Sequence, residues 1–196
     1  MVQLLALDWT YRVARITGFA FLAGFLFFSD QHAFSIIGVI GYVLITLIVS
    51  FGMVGLKLAE RFPEMNRYRF IQVSKNDEAR PLSEKEWGAR RAEYLESSLR
   101  GMAIFLTPAE DGLICVPVLL VGVNMITAVL GGLAFGLLHL GRFTYLECVG
   151  KTVIYSLAIL LILPQGLLTL IAGHFTVDII GLLILKIARR RLRSSP

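Results

Sequence analysis

The sequence predicts an all-α membrane protein, a bundle of about six transmembrane helices with an additional amphipathic helix on the cytoplasmic side. Hydrophobic residues make up 56% of the 196 positions and charged residues only 17%, whereas a soluble domain has about 25% charged residues. A chain of this size cannot hide so much apolar surface from water by folding alone. The apolar residues also form long runs, with the Lys and Arg residues between them. Composition therefore excludes a disordered chain and disfavours a soluble enzyme.

Six apolar segments account for the predicted transmembrane helices. The first is short unless Arg12 and Arg15 extend their side chains to the membrane surface. It is not expected to be a cleaved signal peptide, because no small-residue cleavage pattern follows Phe28. The last two share one run that Pro164-Gln165-Gly166 interrupts, and each half is close to the minimum spanning length. The segments are 16–28, 33–56, 101–121, 123–141 and the two halves of 152–185.

The distribution of basic residues predicts the orientation of these segments. With six spans and a cytoplasmic N-terminus, the inner pieces are the N-terminus, 57–100, 142–151 and the C-terminal end. These pieces contain all 19 Lys and Arg residues, which is the positive-inside pattern. We therefore expect an integral, multi-pass membrane protein with both termini in the cytoplasm.

Four regions follow from this map: two N-terminal transmembrane helices over 1–58, a cytoplasmic loop over 59–99, a four-helix core over 100–187 and a basic cytoplasmic tail over 188–196. Within the loop, Ser83 and Glu86 form a predicted capping box, and apolar residues follow at helical spacing. An amphipathic helix on the inner leaflet is therefore expected, with an ordinary solvated connector as the alternative. Basic residues at segment ends, without an interleaved aromatic stripe, indicate no nucleic-acid partner.

The acids and imidazoles inside the apolar segments are the candidates for function. They are Glu110, Asp111, His139, His174 and Asp178. An ionised acid at the centre of a membrane helix costs about 2.5–3.5 kcal/mol on insertion scales. The three acids must therefore face the interior of the bundle, be partly neutralised or contact water, and such residues mark functional sites by default.

Spacing indicates which of these side chains can act together. His174 and Asp178 are four residues apart, so they share one helix face. Glu110 and Asp111 are adjacent, so their side chains diverge by about 100° around the helix. We expect Glu110 to face the site, with Asp111 in support.

Acids and imidazoles brought together can do one of two kinds of chemistry. They can activate water by general base catalysis beside a polarising group, or they can bind a divalent metal such as zinc. Simpler interpretations stay open, because a single histidine in a membrane helix is often a hydrogen-bonded packing residue. Thr107-Pro108-Ala109-Glu110 could likewise be only the start of a helix, with Thr107 as its N-cap.

The order of these residues resembles the CPBP family, the CAAX-prenyl-protease and bacteriocin-processing (Abi) intramembrane proteases. That family carries three motifs on separate helices: Glu-Glu-x3-Arg, Phe-x3-His and His-x3-Asn/Asp. The second reads Phe135-Gly-Leu-Leu-His139 and the third His174-Phe-Thr-Val-Asp178. The first is partial, because Glu110-Asp111-Gly-Leu-Ile-Cys115 has Asp as its second acid and Cys115 at the position of the Arg. The resemblance covers residues 100 to 187.

The resemblance implies an intramembrane endopeptidase of the glutamic-protease type. Glu110 and His139 would activate water, and His174 and Asp178 would stabilise the oxyanion, with Phe135 in support. The implied substrate is a membrane-associated protein or peptide in the lipid bilayer, cut without a covalent intermediate at a site open to the cytoplasm. No cofactor is expected, with zinc as the alternative.

Two other functions compete with this one. A catalytically inactive CPBP-like membrane protein could bind and regulate a membrane partner, which the departure at Cys115 favours. A haem protein using His139 and His174 is disfavoured. The two axial ligands of one haem need the same depth in the membrane, whereas the predicted spans place His139 nearer the inner edge than His174.

Overall fold

The computed structural model describes residues 2–29, 33–63, 65, 103–139 and 143–194. Over these residues the protein is all-helical, as predicted, with no β-strand. The predicted capping box at Ser83 and the amphipathic helix after it lie outside the described residues. The described helices are α1 (Val2–Phe28), α2 (Ile36–Gly55), α3 (Leu58–Arg61), α4 (Ala103–Val121), α5 (Met125–Leu138), α6 (Tyr145–Leu161) and α7 (Leu167–Ser194), with a 3-10 turn at Leu163–Gln165.

Each of the six apolar segments contains one long helix, but two helix starts differ from expectation. Helix α4 begins at Ala103, so Pro108 lies inside it and the helix-start interpretation of Thr107 is wrong. Helix α6 begins at Tyr145, several residues before the predicted apolar run. Its start is fixed by a capping box, in which Thr144 accepts a bond from the Glu147 amide and the Glu147 carboxylate accepts one from the Thr144 amide.

The predicted interruption between the last two segments is present. Residues 163–165 form a 3-10 turn, and Gly166 follows with a φ of 121°. A Cβ at Gly166 would lie 2.0 Å from the carbonyl oxygen of Ala33, so both the backbone angle and the close contact require glycine. Helix α7 then runs unbroken to Ser194, through the point where the sequence suggests a separate basic tail.

Among the residues that the structure describes, two helices are long and apolar enough to cross a membrane. They are Ile36–Gly55 and the Leu167–Ile184 part of α7. Only 11% of the first and 28% of the second are buried within the protein, so neither is the buried core helix of a soluble fold. Many of their apolar side chains are exposed, as Ile37 and Phe51 are in the first helix and Leu183 is in the second. Both helices are therefore compatible with a membrane-associated chain.

The two N-terminal helices, α1 and α2, pack against the core formed by α4 to α7. Each runs parallel to one helix of that core. Helix α1 runs parallel to α4, because Gly18 lies against Ala109 and Leu22 lies farther along, beside Gly112. A Cβ at Gly18 would come within 1.9 Å of the Ala109 carbonyl oxygen, so only glycine allows this approach. Helix α2 runs parallel to α7.

The core helices pack antiparallel. Between α5 and α6, Gly131 lies against Ile159 whereas Gly136 lies against Thr152. Helices α4 and α7 are joined by two hydrogen-bonded side-chain pairs, 107 with 178 and 111 with 174, so they also run in opposite directions.

These directions bring one set of helix ends together. The starts of α1, α4 and α6 and the ends of α2, α5 and α7 share one end of the bundle, which we call the basic end. Lys57, Arg61, Lys151 and the Arg-rich end of α7 belong to it. Because α2 ends there and α4 begins there, the segment between them leaves and returns at the same end.

Candidate active site

Helix α4 presents two neighbouring acids about two turns from its start at the basic end. The Asp111 side chain is fully buried, with 0% of it exposed. Its Oδ1 accepts a 2.5 Å hydrogen bond from the Tyr155 hydroxyl and lies 3.0 Å from Nδ1 of His174. Asp111 thus connects α4 to both α6 and α7.

Glu110 points toward the end of α5, away from its neighbour. Its Oε2 lies 3.9 Å from Nε2 of His139, which caps the C-terminus of α5. Nδ1 of His139 lies 2.8 Å from the carbonyl oxygen of Phe135. Because a carbonyl only accepts hydrogen bonds, this contact assigns a ring proton to Nδ1, and in a neutral ring Nε2 would then present its lone pair toward Glu110.

Phe135 lies between the two carboxylate–imidazole pairs. It is buried, its ring stacks on Tyr155 at 4.0 Å with an interplanar angle of 2°, and its centroid is 4.5 Å from the ring of His139. The His174 ring meets it edge-on at 5.3 Å. Two of the three sequence motifs therefore touch through this phenylalanine.

Asp178 lies one helical turn closer to the basic end than His174. Its Oδ2 accepts a 2.7 Å hydrogen bond from the Thr107 hydroxyl. The carboxylate hydrogen-bonded to Nδ1 of His174 is that of Asp111 rather than that of Asp178. The structure thus places all five predicted acids and imidazoles on the facing sides of α4, α5 and α7, but with a pairing that the sequence does not give.

A cation lies beside the Glu110–His139 pair. The Lys151 ammonium is 4.4 Å from the centroid of Phe143 and 5.8 Å from that of Phe135, and both rings also contact His139. Its positive charge attracts the Glu110 carboxylate. The sequence places Lys151 in a cytoplasmic loop, whereas it lies in the second turn of α6, because that helix begins earlier than its apolar run.

An apolar cavity of about 630 Å³, open to the outside of the bundle, lies between α4 and α5. It starts one turn beyond Glu110, at Leu113 and Ile114, and includes Leu138, the residue before His139. It continues along the seam of the two helices past Ala134. Neither Glu110 nor His139 lines this space, but their neighbours in the chain do, and its lining could hold an apolar group.

Sequence reasoning missed three residues of this site: Thr107, Lys151 and Tyr155. Lys151 and Tyr155 are four residues apart on α6, so they lie on one face of that helix. That spacing is a signal equal to the His174–Asp178 spacing, and it could have identified α6 as part of the site.

The donor set gives no support for a metal centre. Within the part of the chain that the structure describes, no group of three or more His, Cys, Asp or Glu side chains could hold a metal ion. Nδ1 of His174 is already bonded to Asp111. The zinc alternative and the expectation of no cofactor both stay predictions.

Comparison of the chain with protein families, with curated proteins and with solved structures found no match. The resemblance to the CPBP family stays a prediction that depends on the three motifs.

Proposed function

We propose that this protein is an intramembrane endopeptidase of the CPBP type. It would hydrolyse a peptide bond of a membrane-associated protein or peptide near the cytoplasmic face. The observation that supports it is the meeting of two carboxylate–imidazole pairs on either side of Phe135, one pair separated by 3.9 Å and the other by 3.0 Å. Residue types for activating water and for stabilising an oxyanion thus stand on opposite sides of one small site.

A six-span topology fits the helix directions. Helices α1, α4 and α6 run away from the basic end and α2, α5 and α7 run toward it, as alternating membrane crossings require. The positive-inside rule places the basic end in the cytoplasm. Helix α5 has 14 residues, about 21 Å at 1.5 Å per residue, which is shorter than a bilayer core. His139 at its end would then lie at membrane depth, beside an opening to the cytoplasm.

The Glu110–His139 pair is arranged to activate water. A separation of 3.9 Å is too long for a direct hydrogen bond, but one water molecule can contact both atoms. The Glu110 carboxylate and the Nε2 lone pair of His139 are both acceptors, so the water would donate both of its protons to them. Its own lone pair would remain available to attack the carbonyl carbon of the substrate.

In the reaction, a bond forms between the water oxygen and the carbonyl carbon while one water proton passes to the Glu110–His139 pair. The carbonyl electron pair moves onto the oxygen. When the tetrahedral intermediate collapses, the C–N bond breaks and the stored proton passes to the leaving amine. No covalent intermediate with the protein forms.

The Asp111–His174 pair is arranged to stabilise the oxyanion. The buried carboxylate holds the His174 ring by Nδ1 and favours positive charge on it, which leaves Nε2–H as a donor to the developing oxyanion. Asp178 could donate only if protonated. We therefore assign the oxyanion contact first to His174, oriented by Asp111, and give Asp178 a supporting part with Thr107.

The departure at Cys115 does not disrupt these pairs. Cys115 is buried and its Sγ lies 3.3 Å from the Tyr155 hydroxyl, on the Asp111 side of the site. The inactive-regulator alternative thus gains no support from the surroundings of this residue.

The test compares the peptide termini generated in membranes of cells that express the protein or its variants, read by mass spectrometry. We expect new termini with the unaltered chain and none with Glu110→Gln or His139→Ala. Glu60→Gln, at an exposed acid of α3, is the matched control and should behave as the unaltered chain does.

Glu110→Gln protein that still generates the termini would contradict the assignment. The regulator alternative predicts instead that Glu110→Gln retains both the cellular phenotype and a co-purifying membrane partner.

A further inference from the structure

We propose that Tyr155 is a positioning residue that holds Asp111 against His174, and that the Cys115 thiol supports it from behind. This inference rests on the proposed function, in which His174 contacts the oxyanion. Tyr155 belongs to none of the three motifs, and it lies on α6, which carries no residue of those motifs.

The directions of the hydrogen bonds are fixed by the groups that make them. The Asp111 carboxylate accepts at Oδ1 from the Tyr155 hydroxyl and from the Nδ1–H of His174. Because the hydroxyl proton of Tyr155 is used in this way, the 3.3 Å contact with Cys115 has the thiol as donor and the phenol oxygen as acceptor. The result is a chain from Cys115 through Tyr155 to Asp111 and His174.

Packing prevents the phenol from turning away from Asp111. The Tyr155 side chain is fully buried, stacked on Phe135 and 6.0 Å from the His174 ring in an edge-on contact. The other oxygen of Asp111, Oδ2, is buried and has no hydrogen-bond partner among the described residues. The two bonds to Oδ1 therefore set the rotation of the carboxylate, and one of them comes from Tyr155.

This arrangement gives Cys115 a role. The residue lies on α4, is fully buried and points its thiol toward Tyr155 of α6. A small donor fits at this position. The position that the resemblance associates with an Arg serves in this chain to orient the Tyr155 hydroxyl.

The main experiment reads the His174 ring directly. The chain has three histidines, so 15N-histidine NMR of the full-length protein in detergent gives a resolvable set of ring signals. We expect a downfield Nδ1–H proton for His174, assigned by its loss in His174→Gln. Tyr155→Phe retains the stacked ring and removes only the hydroxyl, so this proton should move or broaden.

The matched control is Tyr42→Phe, which removes a hydroxyl from the other tyrosine packed on His174 while its ring stays stacked at 5.9 Å. It should leave the Nδ1–H proton in place. An unchanged signal in Tyr155→Phe, or equal changes in both variants, would overturn the proposal.

Kinetics give a second readout. The substrates are peptides that contain, uncut, the cleavage sites found in the membranes. Tyr155→Phe should lower kcat by about 10- to 100-fold with KM nearly unchanged, since misplacing a group that acts in the transition state costs about this much. Cys115→Ala should lower kcat less, and Cys115→Ser should restore it, because a hydroxyl also donates. Loss of activity that is equal in both Cys115 variants would count against the thiol.

Failure of the two proposals is distinguishable. A Nδ1–H signal that depends on Tyr155, in protein that cleaves no peptide, keeps Tyr155 as the positioning residue of His174 and overturns the peptidase assignment. If Tyr155→Phe does not fold, the Cys115 variants carry the same NMR test.

Discussion

Each of the two pairs joins a carboxylate to an imidazole, and their acids are adjacent in the chain, yet they differ in contact distance and surroundings. Asp111 and His174 are in direct hydrogen-bond contact and closed off by Tyr155. Glu110 and His139 are separated by 3.9 Å, at a helix end beside a cavity and a cation. The first pair is suited to holding an orientation and the second to exchanging protons with a small molecule.

The largest effect is expected from Asp111→Asn, which tests whether the Asp111–His174 pair holds an orientation. The amide nitrogen would be placed in the buried position of Oδ2, where no described residue offers an acceptor, so we expect a loss of about 1–3 kcal/mol in unfolding free energy. Activity should also fall by about 100-fold or more, because His174 loses its charged partner. Thermal unfolding and single-turnover cleavage measure the two effects.

Glu110→Gln is the corresponding change in the Glu110–His139 pair. It should remove activity while the melting temperature of the protein changes by at most a few degrees. If the two substitutions had the same effect on stability, the distinction between a holding pair and an exchanging pair would be wrong.

The charge beside the exchanging pair is tested by Lys151→Met. This change removes the ammonium that attracts Glu110 and retains much of the apolar stem. We expect cleavage to fall by about 10-fold, which corresponds to about 1.4 kcal/mol. Lys151→Arg keeps the cation and its contact with the Phe143 ring, so it should retain most of the activity. Equal losses of cleavage in Lys151→Met and Lys151→Arg would show that the positive charge at this position does not support the reaction.

The smallest expected effect comes from filling the open cavity between α4 and α5, whose lining includes chain neighbours of Glu110 and His139. Ala134→Trp should raise KM by about threefold to tenfold, or about 0.7–1.4 kcal/mol, with little change in kcat. Leu133→Trp, at an exposed neighbouring position of the same helix, serves as the control. A kcat effect without a KM effect would place the substrate elsewhere.

Much of the fold could be predicted because it depends on local signals. Hydrophobic runs identified the helices, and Pro164 with Gly166 marked the interruption between α6 and α7. The start of α6 was missed, since Thr144 and Glu147 end a polar stretch that looks like a loop while their side chains in fact cap a helix.

The site was only partly predictable for a different reason. The 100° divergence of the two acids indicated two directions, but which imidazole stands in each direction depends on the rotation of α4 against α5 and α7. That rotation is set by packing contacts such as Gly18 against Ala109, which no local pattern encodes. Tyr155 escaped notice because a tyrosine in an apolar run counts as one more hydrophobic residue until its hydroxyl has a partner.

The adjacency of the two acids also limits how this protein can change. Helix α4 contacts α1 at Ala109 and Gly112, the residues directly before and after the two acids, so one residue inserted between Ala109 and Glu110 would turn both acids by about 100° relative to the Ala109 contact. Such a change would present one acid to the wrong imidazole and the other to none. Substitutions can tune either pair separately, but an insertion at this point of α4 would displace both of them together.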